Sequence, residues 1–292
     1  MDRVIETRRL AKRFGRTWAL RDCDLAVPRG KVVGLVGPNG AGKTTLLHIA
    51  VGLLAPSGGT ITVLGESPWQ SAAQLLERVG FVAQERPLFR DFTVAEMLEV
   101  GRRLSPRWDH DYARSRLARS GVALDRRIRE LSTGQRAQVA LSLALGKRPE
   151  LLLLDEPVAN LDPVARLELL EELMSAVADD GPTVMLSSNA LADVDRVCEH
   201  IVILVDGRVR LAGEIDEITR SHALVVGPRL ADATALDPNV VEIRHADRQT
   251  ARLLRASPTS RPAADDGTVV REPTLEEVVL AYLRSARTEA SR

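Results

Sequence analysis

Aromatic side chains are scarce in this 292-residue chain, at 3% of residues, too few for the stacking platform on which proteins hold single-stranded nucleic acid. An excess of one charge is lacking too. The 40 acidic residues balance the 40 basic ones, so no strong overall field draws the chain to nucleic acid or to an anionic membrane. The only cysteines, Cys23 and Cys198, lack a paired spacing and sit in apolar patterns; buried thiols in a reducing cytosol are the expectation. Long apolar runs are missing. The stretches 151–154 and 201–205 are strand-length, far short of the roughly 20 residues that a membrane-spanning helix needs. The opening MDRVIETRRL carries no apolar signal core.

What the chain has is hydrophobic content of 45%, enough for a sizeable core in one large domain with a smaller one beside it. Its most informative stretch is GPNGAGKTT: Gly37, Pro38, Asn39, Gly40, Ala41, Gly42, Lys43, Thr44 and Thr45. An apolar run, KVVGLV, precedes it and the helical pattern TTLLHIA overlaps its end. Strand, glycine-rich loop and helix in that order make a phosphate-binding loop. Backbone N–H groups approach phosphate oxygens where no Cβ intervenes. Lys43 can reach the terminal phosphates of a nucleoside triphosphate, and the Thr44 hydroxyl can ligate the accompanying Mg²⁺. One helix N-terminus contributes only about 0.3–2 kcal/mol toward an anion, so further groups must come from elsewhere.

Along the chain, Cys23, Leu25 and Val27 alternate with Asp22, Asp24 and Ala26 as in a half-buried strand. Strands are expected at 60–64 and 80–84. From about 86 to 130 the pattern becomes helical, with Val94, Leu98 and Leu104 marking one helix and Tyr112 and Leu117 a second. Strands and helices then alternate: a helix after Leu131, a strand at 151–154, a helix at 163–178, a strand at 183–187 and a helix at 190–199. Such alternation predicts a parallel sheet covered on both faces. Residues 201–211 read as a hairpin turning on Asp206-Gly207. Beyond Arg220 the pattern weakens. Strands at 224–226 and 240–243, a mobile loop at 257–267 and a closing helix at 274–287 are expected, and 221–292 reads as an accessory region.

The run LLLLDEP ends an apolar strand in two carboxylates. At the end of a buried parallel strand, where open α/β sheets bind ligands, Asp155 is placed to hold Mg²⁺ through water. Glu156 is placed to orient an attacking water or accept its proton. The run LSTGQR precedes the next helix; alone, Ser132 there would be an N-cap. In this company it resembles the LSGGQ signature of ATP-binding-cassette (ABC) ATPases, and the chain over 1–220 is similar to the nucleotide-binding subunit of an ABC transporter.

That resemblance implies an α/β fold: a RecA-like P-loop NTPase core, an antiparallel β subdomain, a helical subdomain at about 86–130 and a small C-terminal accessory region. It implies ATP and Mg²⁺ as ligands. Phe14 resembles the aromatic that stacks on adenine, with a core phenylalanine the competing reading and Trp18 a possible substitute. Gln84 looks like the glutamine that contacts Mg²⁺ and the attacking water. Asp162, in Asn160-Leu161-Asp162, resembles the acid facing a partner subunit. Two subunits meet head to tail in this family, so that Ser132, Gly134 and Gln135 of one would contact the γ-phosphate on the phosphate loop of the other, a helix tip suited to an anion.

Two positions depart from the family. Thr133 stands where many members have glycine. Asn189 stands at the switch-histidine position; its amide can donate a hydrogen bond but cannot take a positive charge, which points either to slow turnover or to a poorly hydrolysing regulatory cassette in a heterodimer. The expected partners are a second cassette, as homo- or heterodimer, and a separate transmembrane permease docked on the helical insertion, with no nucleic acid. The chain would lie in the cytoplasm, peripheral on the inner face of the cell membrane. Trp108-Asp109 and Gln135-Arg136-Ala137-Gln138 look most like ABC-2 cassettes, often exporters. A soluble ABC protein acting on ribosomes or DNA is disfavoured, since neither a second cassette nor a long coiled coil is present.

Overall fold

Buried apolar runs and their turn residues set the chain order. In the computed structural model, which describes residues 2–228, 239–246, 248–256 and 267–290, the first elements are β1 (Arg3–Phe14), β2 (Thr17–Pro28), β3 (Val32–Val36), α1 (Lys43–Ala50), β4 (Gly58–Val63), α2 (Ala72–Arg78) and β5 (Val79–Val82). There follow α3 (Val94–Leu104), α4 (His110–Arg119), α5 (Thr133–Leu145), β6 (Leu151–Leu154), α6 (Pro163–Asp180), β7 (Thr183–Ser188) and α7 (Leu191–Val197). The chain closes with β8 (His200–Val205), β9 (Arg208–Glu214), α8 (Ile215–Arg220), β10 (His222–Pro228), β11 (Val240–His245), β12 (Gln249–Arg255), β13 (Val269–Arg271) and α9 (Leu275–Ala290).

The central sheet has the order β5-β6-β7-β3-β8-β9, parallel except for β9. Every residue of β3, β6 and β7 is buried, as expected for strands covered on both faces. The hairpin expected at 201–211 is β8–β9. Asp206 and Gly207 both have positive φ, 50° and 73°, the primed turn that matches strand twist. This turn also braces the phosphate loop: the Gly207 amide donates to the Ala41 carbonyl at 3.0 Å, and the Arg21 amide donates to Gly207 at 2.9 Å.

An antiparallel sheet, β2-β1-β4, lies beside this core. Cys23, Leu25 and Val27 are buried while Asp22 and Asp24 are exposed, the alternation read from sequence. Both cysteines are free and buried, and burial, with a smaller push from the neighbouring Asp24 or Glu199, raises each thiol to about 12.

The helical insertion has its own apolar cluster, with Val94, Met97 and Leu98 against Ala113, Leu117 and Ile128. Leu104 does not share that face; it is 77% exposed. The inward place one turn after Leu98 belongs to Gly101, where the Trp108 ring packs so closely that a Cβ would come within 2.6 Å of it. The helices are started by side chains, Thr93 with Glu96 for α3 and Asp109 for α4, as helix N-termini require.

The C-terminal region forms a four-stranded antiparallel sheet, β11-β12-β10-β13, with α9. The strands expected at 224–226 and 240–243 fall within β10 and β11; β12 and β13 were not legible. This region shares the main core: Leu224, Leu253, Leu275, Val278 and Val279 join one apolar cluster with Leu186, Val194 and Ile203. The mobile loop expected at 257–267 lies, but for Gly267, outside the described residues.

A relay of hydrogen bonds fastens α9 to α8. Arg255 Nε donates to Tyr282 Oη at 2.8 Å, Tyr282 Oη lies 3.1 Å from His222 Nε2, and His222 Nδ1 lies 2.7 Å from the Ile218 carbonyl. Burial holds the His222 pKa below its ordinary 6.5, with the nearby Arg255 adding to that and the Ile218 bond opposing it. As pH falls through about 6.5 the unfolded chain takes up this proton while the folded protein resists, so stability falls until the folded pKa is passed. Denaturant midpoints are expected to fall between pH 7.5 and pH 5.5, and His222→Phe to reduce that fall; an identical pH dependence in the variant would contradict the assignment.

Candidate functional site

The site grows from the turn between β3 and α1. The 37–42 loop crosses the end of β3 under steric constraint: a Cβ at Gly37 would meet the Leu204 carbonyl oxygen at 2.1 Å. Gly42 has φ 105°, and a Cβ there would lie 2.4 Å from the Ala19 oxygen. Only glycine meets both demands. Helix α1 then begins at Lys43, whose side chain is 5% exposed. Its Nζ donates to the carbonyls of Gly37 at 2.8 Å and Pro38 at 3.3 Å, and to Asn189 Oδ1 at 2.6 Å. Burial lowers the Lys43 pKa from 10.5, with Glu156 and Asp155 acting in the opposite direction.

Asp155 directly follows β6, buried to 1% exposure. Its Oδ1 accepts from Ser187 Oγ at 2.7 Å, and the same Ser187 oxygen accepts from the Glu156 amide at 2.8 Å. Ser187, not singled out from sequence, thus aligns both acids; its only signal is a hydroxyl near the end of an apolar strand. Asp155 Oδ2 is buried without a hydrogen-bond partner. An unpartnered carboxylate oxygen there fits a cation, and with the Thr44 hydroxyl it offers the hard oxygen donors that suit Mg²⁺.

Glu156 sits at φ 45°, a sparsely populated conformation for a non-glycine residue. Its Oε1 accepts from Asn189 Nδ2 at 2.6 Å and lies 3.7 Å from Lys43 Nζ; its Oε2 accepts from Gln84 Nε2 at 3.2 Å. Asn189 Nδ2 also donates to Asn39 Oδ1 at 3.0 Å. Asn189 therefore joins the phosphate loop, the lysine and the carboxylate.

One cleft is lined by Phe14, Ala19, Asn39, Gly40, Ala41, Gly42, Lys43, Thr44, Thr45, Gln84, Glu156 and Asn189. Phe14 is 49% exposed with Lys12 Nζ 5.1 Å from its ring centre, which removes the core reading. Trp18 does not line this cleft; Arg13 and Arg21 flank its ring. Ser132, Gly134, Gln135 and Asp162 do not line it either. Ser132 and Gln135 cap α5 reciprocally, each side chain accepting from the other's amide at 3.1 Å. Asp162 Oδ1 caps α6 by accepting from the Val164 and Ala165 amides at 3.0 Å. Gly134 lets these two tips meet, since a Cβ would approach Ala165 Cβ to 2.8 Å. Thr133 Oγ1 accepts from Arg136 Nη2 at 3.3 Å, which turns its hydroxyl back along the helix.

Residues 20–159 match the family described as ABC transporter. The Nod factor export ATP-binding protein I of Cupriavidus pinatubonensis is 35% identical over 224 residues, covering 75% of this chain and 69% of that protein. The daunorubicin resistance ATP-binding protein DrrA3 of Streptomyces coeruleorubidus is 34% identical over 299 aligned positions, covering 92% of each. The chain belongs to the ABC transporter ATP-binding family. The dimeric post-hydrolysis cassette MJ0796, bound to ADP and Pi, shares the fold of this ABC protein with a TM-score of 0.65 at 23% identity, over 72% of this chain and 98% of that one.

The subunits of this family bind ATP, and Lys43 is the buried cation of the cleft. Lys43→Ala is expected to weaken binding of a fluorescent ATP analogue about tenfold or more, the loss of charge-assisted hydrogen bonds to phosphate. Unchanged affinity would remove Lys43 from the phosphate site.

Proposed function

We propose that this chain is the ATP-hydrolysing subunit of an ABC-2 type exporter, powering a separate membrane-spanning permease. The observation that carries the reading is the pairing, over the phosphate loop, of Asp155 with its unpartnered buried oxygen and Glu156 held between Gln84 and Asn189. Mg²⁺ held by Thr44, Asp155 and Gln84 would neutralise charge on the β- and γ-phosphates. Glu156 orients the attacking water and accepts its proton. Phe14 stacks on the adenine, and the 37–45 segment cradles the phosphates.

A second cassette completes the site. In one chain the tips of α5 and α6 lie outside the cleft, so Ser132, Gly134, Gln135 and Asp162 serve the nucleotide of a partner cassette, as in the head-to-tail arrangement of the family. The α5 tip brings helix N–H groups to the γ-phosphate. No helix among the described residues is long and apolar enough to cross a membrane, so on this reading the membrane segment belongs to the permease. The insertion at about 86–130 is its docking face, where Phe89 and Phe92 are exposed with ring centres 5.1 Å apart. The subunit then works from the cytoplasmic side, with 1–220 as the cassette and 221–292 as the accessory region. Export accords with the names of the relatives above.

Asn189 favours a second reading, a slowly hydrolysing cassette paired with an active one. Its carboxamide satisfies Lys43 and Glu156 together and cannot take a proton as histidine can. Glu156→Gln is expected to lower steady-state hydrolysis about 100-fold or more while ATP still binds. Asn189→His is expected to raise it. A Glu156→Gln rate equal to that of the unmodified protein would remove Glu156 from the chemistry, and equal rates for the histidine variant and the unmodified protein would remove the slow-cassette reading.

A further inference from the structure

Arg86 stands where the chain leaves the central sheet for the helical insertion, two residues past Gln84. Its backbone has φ 46°, in a turn where its amide donates to the Ala83 carbonyl at 3.0 Å. Left-handed backbone at a non-glycine residue persists only where surrounding contacts hold it. The contacts here are made by its side chain. Half-buried, Arg86 Nη2 donates to the Pro157 carbonyl at 2.6 Å and to the Ala159 carbonyl at 3.2 Å.

No carboxylate among the described residues pairs with this guanidinium, and the nearby Arg136 repels it. An arginine so placed is not serving charge balance. Its Nη2 is committed to one stretch of backbone, the turn that follows Glu156. That turn is itself strained, with Glu156 at φ 45° and Asn160 at φ 61°. The Ala159 amide closes it on the Glu156 carbonyl at 3.0 Å. Residues 84–86 thus grip the turn twice, through Gln84 on the Glu156 carboxylate and through Arg86 on the backbone just beyond it.

We propose that Arg86 is a positioning residue for hydrolysis, tying the turn that carries Glu156 to the root of the helical insertion. This rests on the ATPase reading above. A displacement at the root of the insertion cannot leave the turn in place without breaking the Arg86 hydrogen bonds, so it reaches the backbone that follows Glu156 through Arg86.

Arg86→Met keeps a stem beside the small cavity that Arg86 lines with Leu141, Leu154 and Leu173 and removes the donors; Arg86→Lys keeps a donor without the fork. Hydrogen exchange of the amides of residues 158–161 is expected to quicken about tenfold in the methionine variant, with exchange elsewhere in the central sheet unchanged. Its kcat for ATP is expected to fall about tenfold with KM within about twofold, and the lysine variant to recover part of both effects. Unchanged exchange at 158–161, exchange that quickens throughout the chain, or faster local exchange with unchanged kcat would each overturn the proposal. If the unmodified protein does not hydrolyse ATP, the ATPase reading fails by itself, and the exchange measurement still decides whether Arg86 holds the turn.

Discussion

One buried ammonium group organises the site. Lys43 is held under the phosphate loop by two of that loop's own carbonyls and by Asn189, with the Glu156 carboxylate within 3.7 Å. A charge this buried is tolerable only where fixed dipoles and opposite charge surround it. That requirement fixes much of what lies around it. The loop curls so that the Gly37 and Pro38 carbonyls face the ammonium, and the Leu204 and Ala19 carbonyls packed behind it leave room only for glycine at 37 and 42. The β8–β9 turn must brace the loop from behind, and β7 must deliver Asn189 from the neighbouring strand.

Within one chain the site is one-sided. Lys43, Asn39, Gln84 and Glu156 line one wall, while the α5 and α6 tips present their capped N-termini elsewhere on the chain. A triphosphate on the loop would meet cations and donors on one flank only. On the proposed reading a second copy or a related cassette supplies the other flank, which would give the capping box of helix α5 a function between two chains.

The phosphate loop, the paired carboxylates and the signature were legible because their chemistry fixes residue types over a few consecutive positions. Strands such as 151–154 were legible because burial on both faces leaves an unbroken apolar run. What was not legible depends on contacts between distant residues. Leu104 has helical spacing for the core, yet Trp108 packed on Gly101 turns that face elsewhere. Strand β1 hides because its alternation breaks where Arg9 takes φ 45° and the pairing register shifts. Ser187 and Arg86 gain their roles from groups over 30 and 70 positions away, respectively. The C-terminal sheet reads as weakly patterned because its strands share a core with the cassette and do not close one of their own.

The central claim is that ATP is held between the phosphate loop of one cassette and the α5 tip of another. The chain's own cysteines are buried with their thiols raised to about 12, so introduced thiols report without interference. With Ser132→Cys and Asn39→Cys in a Glu156→Gln background, oxidative crosslinking between chains is expected with Mg–ATP and not without nucleotide. Crosslinks that never form with ATP, or that form equally well in its absence, would contradict the account.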